Sequence, residues 1–149
     1  MKTRFWKKPF ALFFVLIMSA VLMTSAYAGT AFGGTVPFPA DGNSYVGNSV
    51  INTNTSTHTA YGGATMTCTT GAVTAGYMSL DVILMNDSWS VLEYNYGTNS
   101  DPTVTYALYT PIHYGSGYYC AQGMAAAYKP SSGTYSSAYV LSTSPLIYA

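Results

Sequence analysis

Charge is what this chain has least of. Only 7% of its 149 residues are Asp, Glu, Lys or Arg, and four of the five basic ones, Lys2, Arg4, Lys7 and Lys8, precede residue 9. Beyond them Lys129 stands alone against Asp41, Asp81, Asp87, Glu93 and Asp101, so 29–149 is formally at minus four. A surface with one Lys and no Arg has no electrostatic footprint for a phosphate backbone or an anionic lipid layer, which excludes nucleic acid as a partner. Cysteine is almost as scarce, with Cys68 and Cys120 the whole complement. Neither stands beside a His or a second Cys at ligand spacing, which argues against metal and redox chemistry, and nothing calls for a cofactor. Helical periodicity is missing from the mature chain, as is the Gly-x-Ser-x-Gly of a nucleophile elbow. His58 and His113, the only histidines, lie in no nucleophile or metal motif.

What the chain does have begins with a basic start, an apolar run from Phe10 to Met23 and a closing Ala26-Tyr27-Ala28. This is the pattern of a secretory signal peptide over 1–28, too short in its apolar part to span a bilayer. The mature chain is therefore expected to be secreted, extracellular or at the cell surface, with no stable membrane span. In that compartment Cys68 and Cys120 are expected to pair, and closing a loop of about 50 residues would contribute on the order of 4 kcal/mol. Residues 29–44 hold Pro37, Pro39 and several Gly, and read as an irregular N-terminal arm. The remainder, 45–149, reads as a single β-sandwich domain.

The strongest strand signal is the hairpin over 76–96. Met78, Leu80, Val82 and Leu84 alternate with Tyr77, Ser79, Asp81 and Met85, and Asn86-Asp87-Ser88 supplies the turn. Pairing Leu80 with Tyr94 and Met78 with Tyr96 keeps apolar residues together, and it sets Asp81 opposite Glu93. Two carboxylates so placed are the spacing of a retaining glycosidase, which makes Asp81 and Glu93 the candidate catalytic pair. Upstream, Thr53, Thr55, Thr57 and Thr59 alternate, as do Thr65, Thr67 and Thr69. With Tyr61-Gly62-Gly63 as the loop they form a threonine ladder, while Met66 and Cys68 turn to the core. Further strands follow at 103–110, 118–124 and 135–142, giving about seven in an all-β, antiparallel sandwich, with a small barrel as the alternative.

Gly117-Tyr118-Tyr119-Cys120-Ala121 resembles the penultimate strand of immunoglobulin-like domains, and the resemblance implies a tyrosine corner at Tyr118 and an immunoglobulin-like sandwich. The order Cys68, 78–84, Trp89, 117–119 and Ala125-Ala126-Ala127 is similar to that of small secreted β-sandwich proteins of Gram-positive bacteria, a group that lends no activity. The reading that follows is a non-enzymatic extracellular interaction module for a protein or a glycan, or one that associates with itself. Trp89, Tyr94 and Tyr109 are the candidate binding residues, since fifteen Tyr supply contact area at little entropic cost. The alternatives are a glycan-active protein, lectin-like or hydrolytic through Asp81 and Glu93, and a secreted toxin or bacteriocin-like protein.

Overall fold

The computed structural model describes residues 28–149, with Ala28 by its backbone alone, so the expected leader lies outside the described residues up to that position. Among the described residues there is no helix. The strands are β1 (Ala28–Phe32), β2 (Val36–Ala40), β3 (Asn43–Asn54), β4 (Thr59–Cys68), β5 (Met78–Asn86) and β6 (Val91–Thr98). They continue with β7 (Thr105–Tyr109), β8 (His113–Tyr114), β9 (Tyr118–Lys129), β10 (Thr134–Tyr135), β11 (Tyr139–Val140) and β12 (Ile147–Tyr148). They form two antiparallel sheets, one of them curled into a half-barrel. In the first, β1 and β2 lie end to end along β3, β4 follows, and β7 and β8 lie end to end along β4. In the second, β6, β5 and β9 are neighbours, and β10, β11 and β12 succeed one another along the far edge of β9.

The buried row of β5 is as its alternation requires: Met78, Leu80, Val82 and Leu84 are each 0% exposed. Across the core β4 contributes Ala60, Ala64, Met66 and Cys68, and beside the β5 row, in the same sheet, β9 contributes Ala121, Ala125 and Ala127. Small residues bring the sheets unusually close in the middle. A Cβ on Gly62 would stand 2.9 Å from that of Ala121, and one on Gly123 2.7 Å from that of Ala64. This waist divides the core in two. The larger part gathers Phe38, Tyr45, Met66, Met78, Leu80 and Leu141, whereas the smaller holds Ile51, Leu84 and Tyr119.

Residues 29–44 are not an irregular arm, because β1 and β2 complete the first sheet. Pro37 and Pro39 are tolerated since β2 is an edge strand and residues two apart aim their missing N–H the same way, away from β3. Asp41 and Gly42 turn the chain back at φ 49° and 82°, the two positive values of a tight hairpin. Nor does the next hairpin turn at Tyr61-Gly62-Gly63. It turns over 55–58, where the Asn54 Oδ1 accepts the backbone N–H of Ser56 at 2.9 Å and of Thr57 at 3.2 Å. Gly62 and Gly63 lie inside β4 for want of space, the first under Ala121 and the second under the Tyr109 ring. The threonine ladder is thereby dispersed. Thr67 meets Thr105 at 2.9 Å and Thr65 meets Asn48, on an outer face.

The cysteines are free and buried, and their placement forbids a bond. Cys68 faces inward from β4 in the cluster that includes Met78, whereas Cys120 is opposite Met85, on the outward-facing register of β9. Met78 and Met85 are seven residues apart on one strand, roughly 23 Å, well beyond disulfide reach. Closure comes instead from edges and serines. Along β9 the hydroxyls of Ser144, Ser49 and Ser136 accept from the N–H groups of Ala121 (2.9 Å), Gly123 (2.9 Å) and Ala127 (3.1 Å). Ser49 does so from the other sheet. On the opposite side, β6 and β7 meet through Asn95 Nδ2 donating to the Tyr109 carbonyl at 2.7 Å. A side chain spans that seam where a closed barrel would have a ladder.

Candidate functional site

The loop of the β5–β6 hairpin decides where its side chains go. Asn86 Oδ1 accepts the N–H groups of Ser88 (3.1 Å) and Ser90 (2.9 Å), and Trp89 closes the three-residue loop at φ 61°. A bulge then inserts Leu92, so that Met85 pairs with Val91 but Leu84 pairs with Glu93. One extra residue exchanges the two faces of all that follows. Asp81 therefore stands opposite Tyr96, not Glu93, and the two candidate carboxylates point to opposite sides of the sheet. The glycosidase pair is not assembled.

Each of the two acids finds a different partner. Asp81 stays on the outer face, where Tyr94 Oη approaches its Oδ1 at 3.5 Å. Partial desolvation and then this carboxylate push the Tyr94 phenol above its ordinary value. Glu93 turns inward at the end of the sandwich and meets His113 of β8, with Oε1 3.2 Å from Nδ1. That bond spans the two sheets. In the sequence His113 stands in no motif, and its pairing depends on the bulge at Leu92, which no local pattern announces.

Beside this pair opens a cavity of about 330 Å³, lined by Asn86, Asp87, Leu92, His113, Ser116 and Gly117 together with Tyr118 and Tyr119. Tyr119 faces inward, and its Oη donates to the Gly115 carbonyl at 2.8 Å, the corner contact that the sequence pattern assigns to Tyr118. Tyr118 faces outward, half-exposed, edge-on to Tyr148 at 5.2 Å. Burial pushes the Tyr119 phenol and the Cys120 thiol up, which leaves that thiol a poor nucleophile.

The three candidate binding residues occupy three places. Trp89 is exposed at the tip of the β5–β6 hairpin, where it caps no core. Tyr94 is on the outer face of the second sheet, nearly stacked on Tyr96 with ring centroids 6.0 Å apart. Tyr109 is on the outer face of the first, over Gly63 and edge-on to Tyr61 at 5.9 Å. The outer face of the second sheet carries exposed apolar side chains in adjacent register rows. One register row crosses it from Tyr96 through Asp81 and Met124 to Val140, and the next begins Tyr94, Ile83, Gln122. Comparison with known protein families, with curated proteins and with solved structures finds no match for this chain. Among the described residues no group of His, Cys, Asp and Glu is placed to hold a metal ion, and no helix is long and apolar enough to cross a membrane.

Proposed function

We propose that this protein is a secreted, non-enzymatic interaction module of the immunoglobulin-like sandwich type, which binds an extracellular protein or glycan through the outer face of its second sheet. The observation that carries the reading is the row of exposed side chains there: Tyr94, Tyr96, Met124 and Val140 all face solvent around a single carboxylate, Asp81. Contiguous apolar surface rimmed by polar groups is the mark of an interaction face, and solvent-facing tyrosines make contacts at little entropic cost. The leader pattern of 1–28 supports secretion, and the corner contact of Tyr119 supports the immunoglobulin-like type. Separation of Asp81 from Glu93 removes the arrangement on which the hydrolytic alternative was built.

The test compares the parent with a Tyr94→Ser/Tyr96→Ser variant on an array of extracellular glycans and in size-exclusion runs across a concentration series. The parent is expected to bind or to self-associate, and the variant to lose at least tenfold in affinity while its unfolding midpoint holds. A parent that hydrolyses array glycans, or that binds as well after both tyrosines are removed, overturns the reading.

A further inference from the structure

We infer that the cavity at the β5–β6 turn is a second binding site, one for a neutral sugar residue. This rests on the reading of the protein as a binding module, but not on its tyrosine face. At about 330 Å³ the cavity falls at the small end of the range of roughly 300–1,000 Å³ that ligand sites occupy. What distinguishes it is the set of polar atoms around it. Glu93 engages His113 at Nδ1 and leaves Nε2 with no partner among the described residues. Asn86 spends its Oδ1 on the turn, which leaves its Nδ2 hydrogens over. Asp87 makes one long contact, 3.4 Å from Ser88 Oγ, and the hydroxyls of Ser116 and Tyr118 have no partner among the described residues.

Carboxylate oxygens that only accept, amide hydrogens that only donate, two hydroxyls that do either, and a His113 Nε2 that accepts while Nδ1 directs its hydrogen to Glu93 are the complement of a polyol. Each sugar hydroxyl donates once and accepts twice, and meets both kinds of group here. The Tyr118 ring and Leu92 offer apolar surface for the C–H face of the ring. Anionic ligands are disfavoured, because two carboxylates, Asp87 and Glu93, stand here with no Lys or Arg beside them. Lys129 lies eleven residues along β9 from Tyr118, about 36 Å away. Glu93 is a positioning residue in this scheme, since it holds the His113 ring in one orientation.

The experiment records amide shifts of the ¹⁵N-labelled full chain on titration with cellobiose, maltose, lactose and N,N′-diacetylchitobiose, each to about 10 mM, the range in which weak sites are read. Glucuronate and glucosamine are the charged controls. At least one neutral disaccharide is expected to shift Asp87, His113, Ser116 and Tyr118. Asp87→Ala and Tyr118→Ala are each expected to weaken that binding about tenfold, the loss of one charge-assisted hydrogen bond or one stacking surface. Val104→Ser, an exposed position in neither site, leaves it unchanged and serves as a folded control. Shifts confined to Tyr94 and Tyr96 overturn the cavity site while keeping the interaction module. Binding of a charged control alone, or of no sugar at all, overturns the site whatever the outcome on the tyrosine face.

Discussion

The two ends of the sandwich differ in what fills them. One end is closed. There Phe38 stacks on Tyr45 and on Tyr139, with centroids 5.6 and 4.5 Å away, over Met66, Met78 and Leu80. Buried Asn99 ties the loops above them, accepting from Met78 N at 2.8 Å and donating to the carbonyls of Thr74 (3.0 Å) and Asp101 (2.8 Å). The other end is open. Its core is the smaller cluster of Ile51, Leu84 and Tyr119, and beyond that lie the cavity, the Glu93–His113 pair and exposed Trp89, Tyr114 and Tyr118. The difference teaches that stability is concentrated at one end, and that the waist of Gly62, Ala64, Ala121 and Gly123 lets the other carry polar and aromatic groups that no core demands.

Truncating one leucine at each end tests that division most severely. Leu80 and Leu84 lie on the same strand, both wholly buried. Leu80→Ala is expected to cost about 4 kcal/mol and Leu84→Ala about 2.5, because the site near the cavity relaxes more readily. Urea unfolding of both variants measures it, and equal losses would break the comparison.

The asparagines give the next contrast. Asn99→Ala strands one buried N–H and two carbonyls and is expected to cost about 2–3 kcal/mol. Asn86→Ala removes bonds that water can replace on an exposed turn, at about 1 kcal/mol. Unfolding midpoints again decide, and a larger loss at Asn86 would place the structural weight at the open end.

The buried alternation was legible in the sequence, and the pairing of the strands was not. Period-two alternation identified Met78 to Leu84, Met66 and Cys68 as core, because side-chain direction in a strand depends only on parity along it. Pairing is a different matter. It depends on single inserted residues, and Leu92 reversed the destinations of Glu93, Tyr94 and Tyr96. Gly62-Gly63 imitated a turn, since glycine serves close packing and chain reversal alike, and local sequence does not distinguish the two. The thiols looked like a bond because redox compartment says nothing of which face each strand presents. Pro37 and Pro39 looked like breakers, although at alternate positions on an edge they cost no ladder bond.

Smaller effects sharpen the picture of the open end. Glu93 and His113 are 28% and 27% exposed by side chain, one opposing the other, so the pair sits in partial solvent. Glu93→Gln is expected to cost about 0.5 kcal/mol, the scale of a screened pair, in contrast to Asn99→Ala at the other end. A loss above about 2 kcal/mol in urea would make this bond a structural clamp between the sheets and the open end a second stable one.

The smallest expected effect lies at the closed end and is separated by pH. Ser131 donates to Asp41 from both Oγ and N, the latter at 2.9 Å, which joins the β2–β3 turn to the β9–β10 turn. The hydroxyl bond foremost, then the backbone bond, holds the Asp41 carboxyl below its ordinary 3.8, despite a small opposing desolvation. Because the folded value is the lower one, this contribution is complete above the unfolded value and is lost as pH falls through the folded value. Asn accepts the same positive φ and keeps one acceptor oxygen, so Asp41→Asn removes the charge with little backbone strain. The variant is expected to unfold slightly more readily than the parent near neutral pH. The two curves of unfolding midpoint against pH should then converge on the acid side of 3.8. A gap that persisted in acid would mean that the link acts through packing of the two turns and not through the carboxylate.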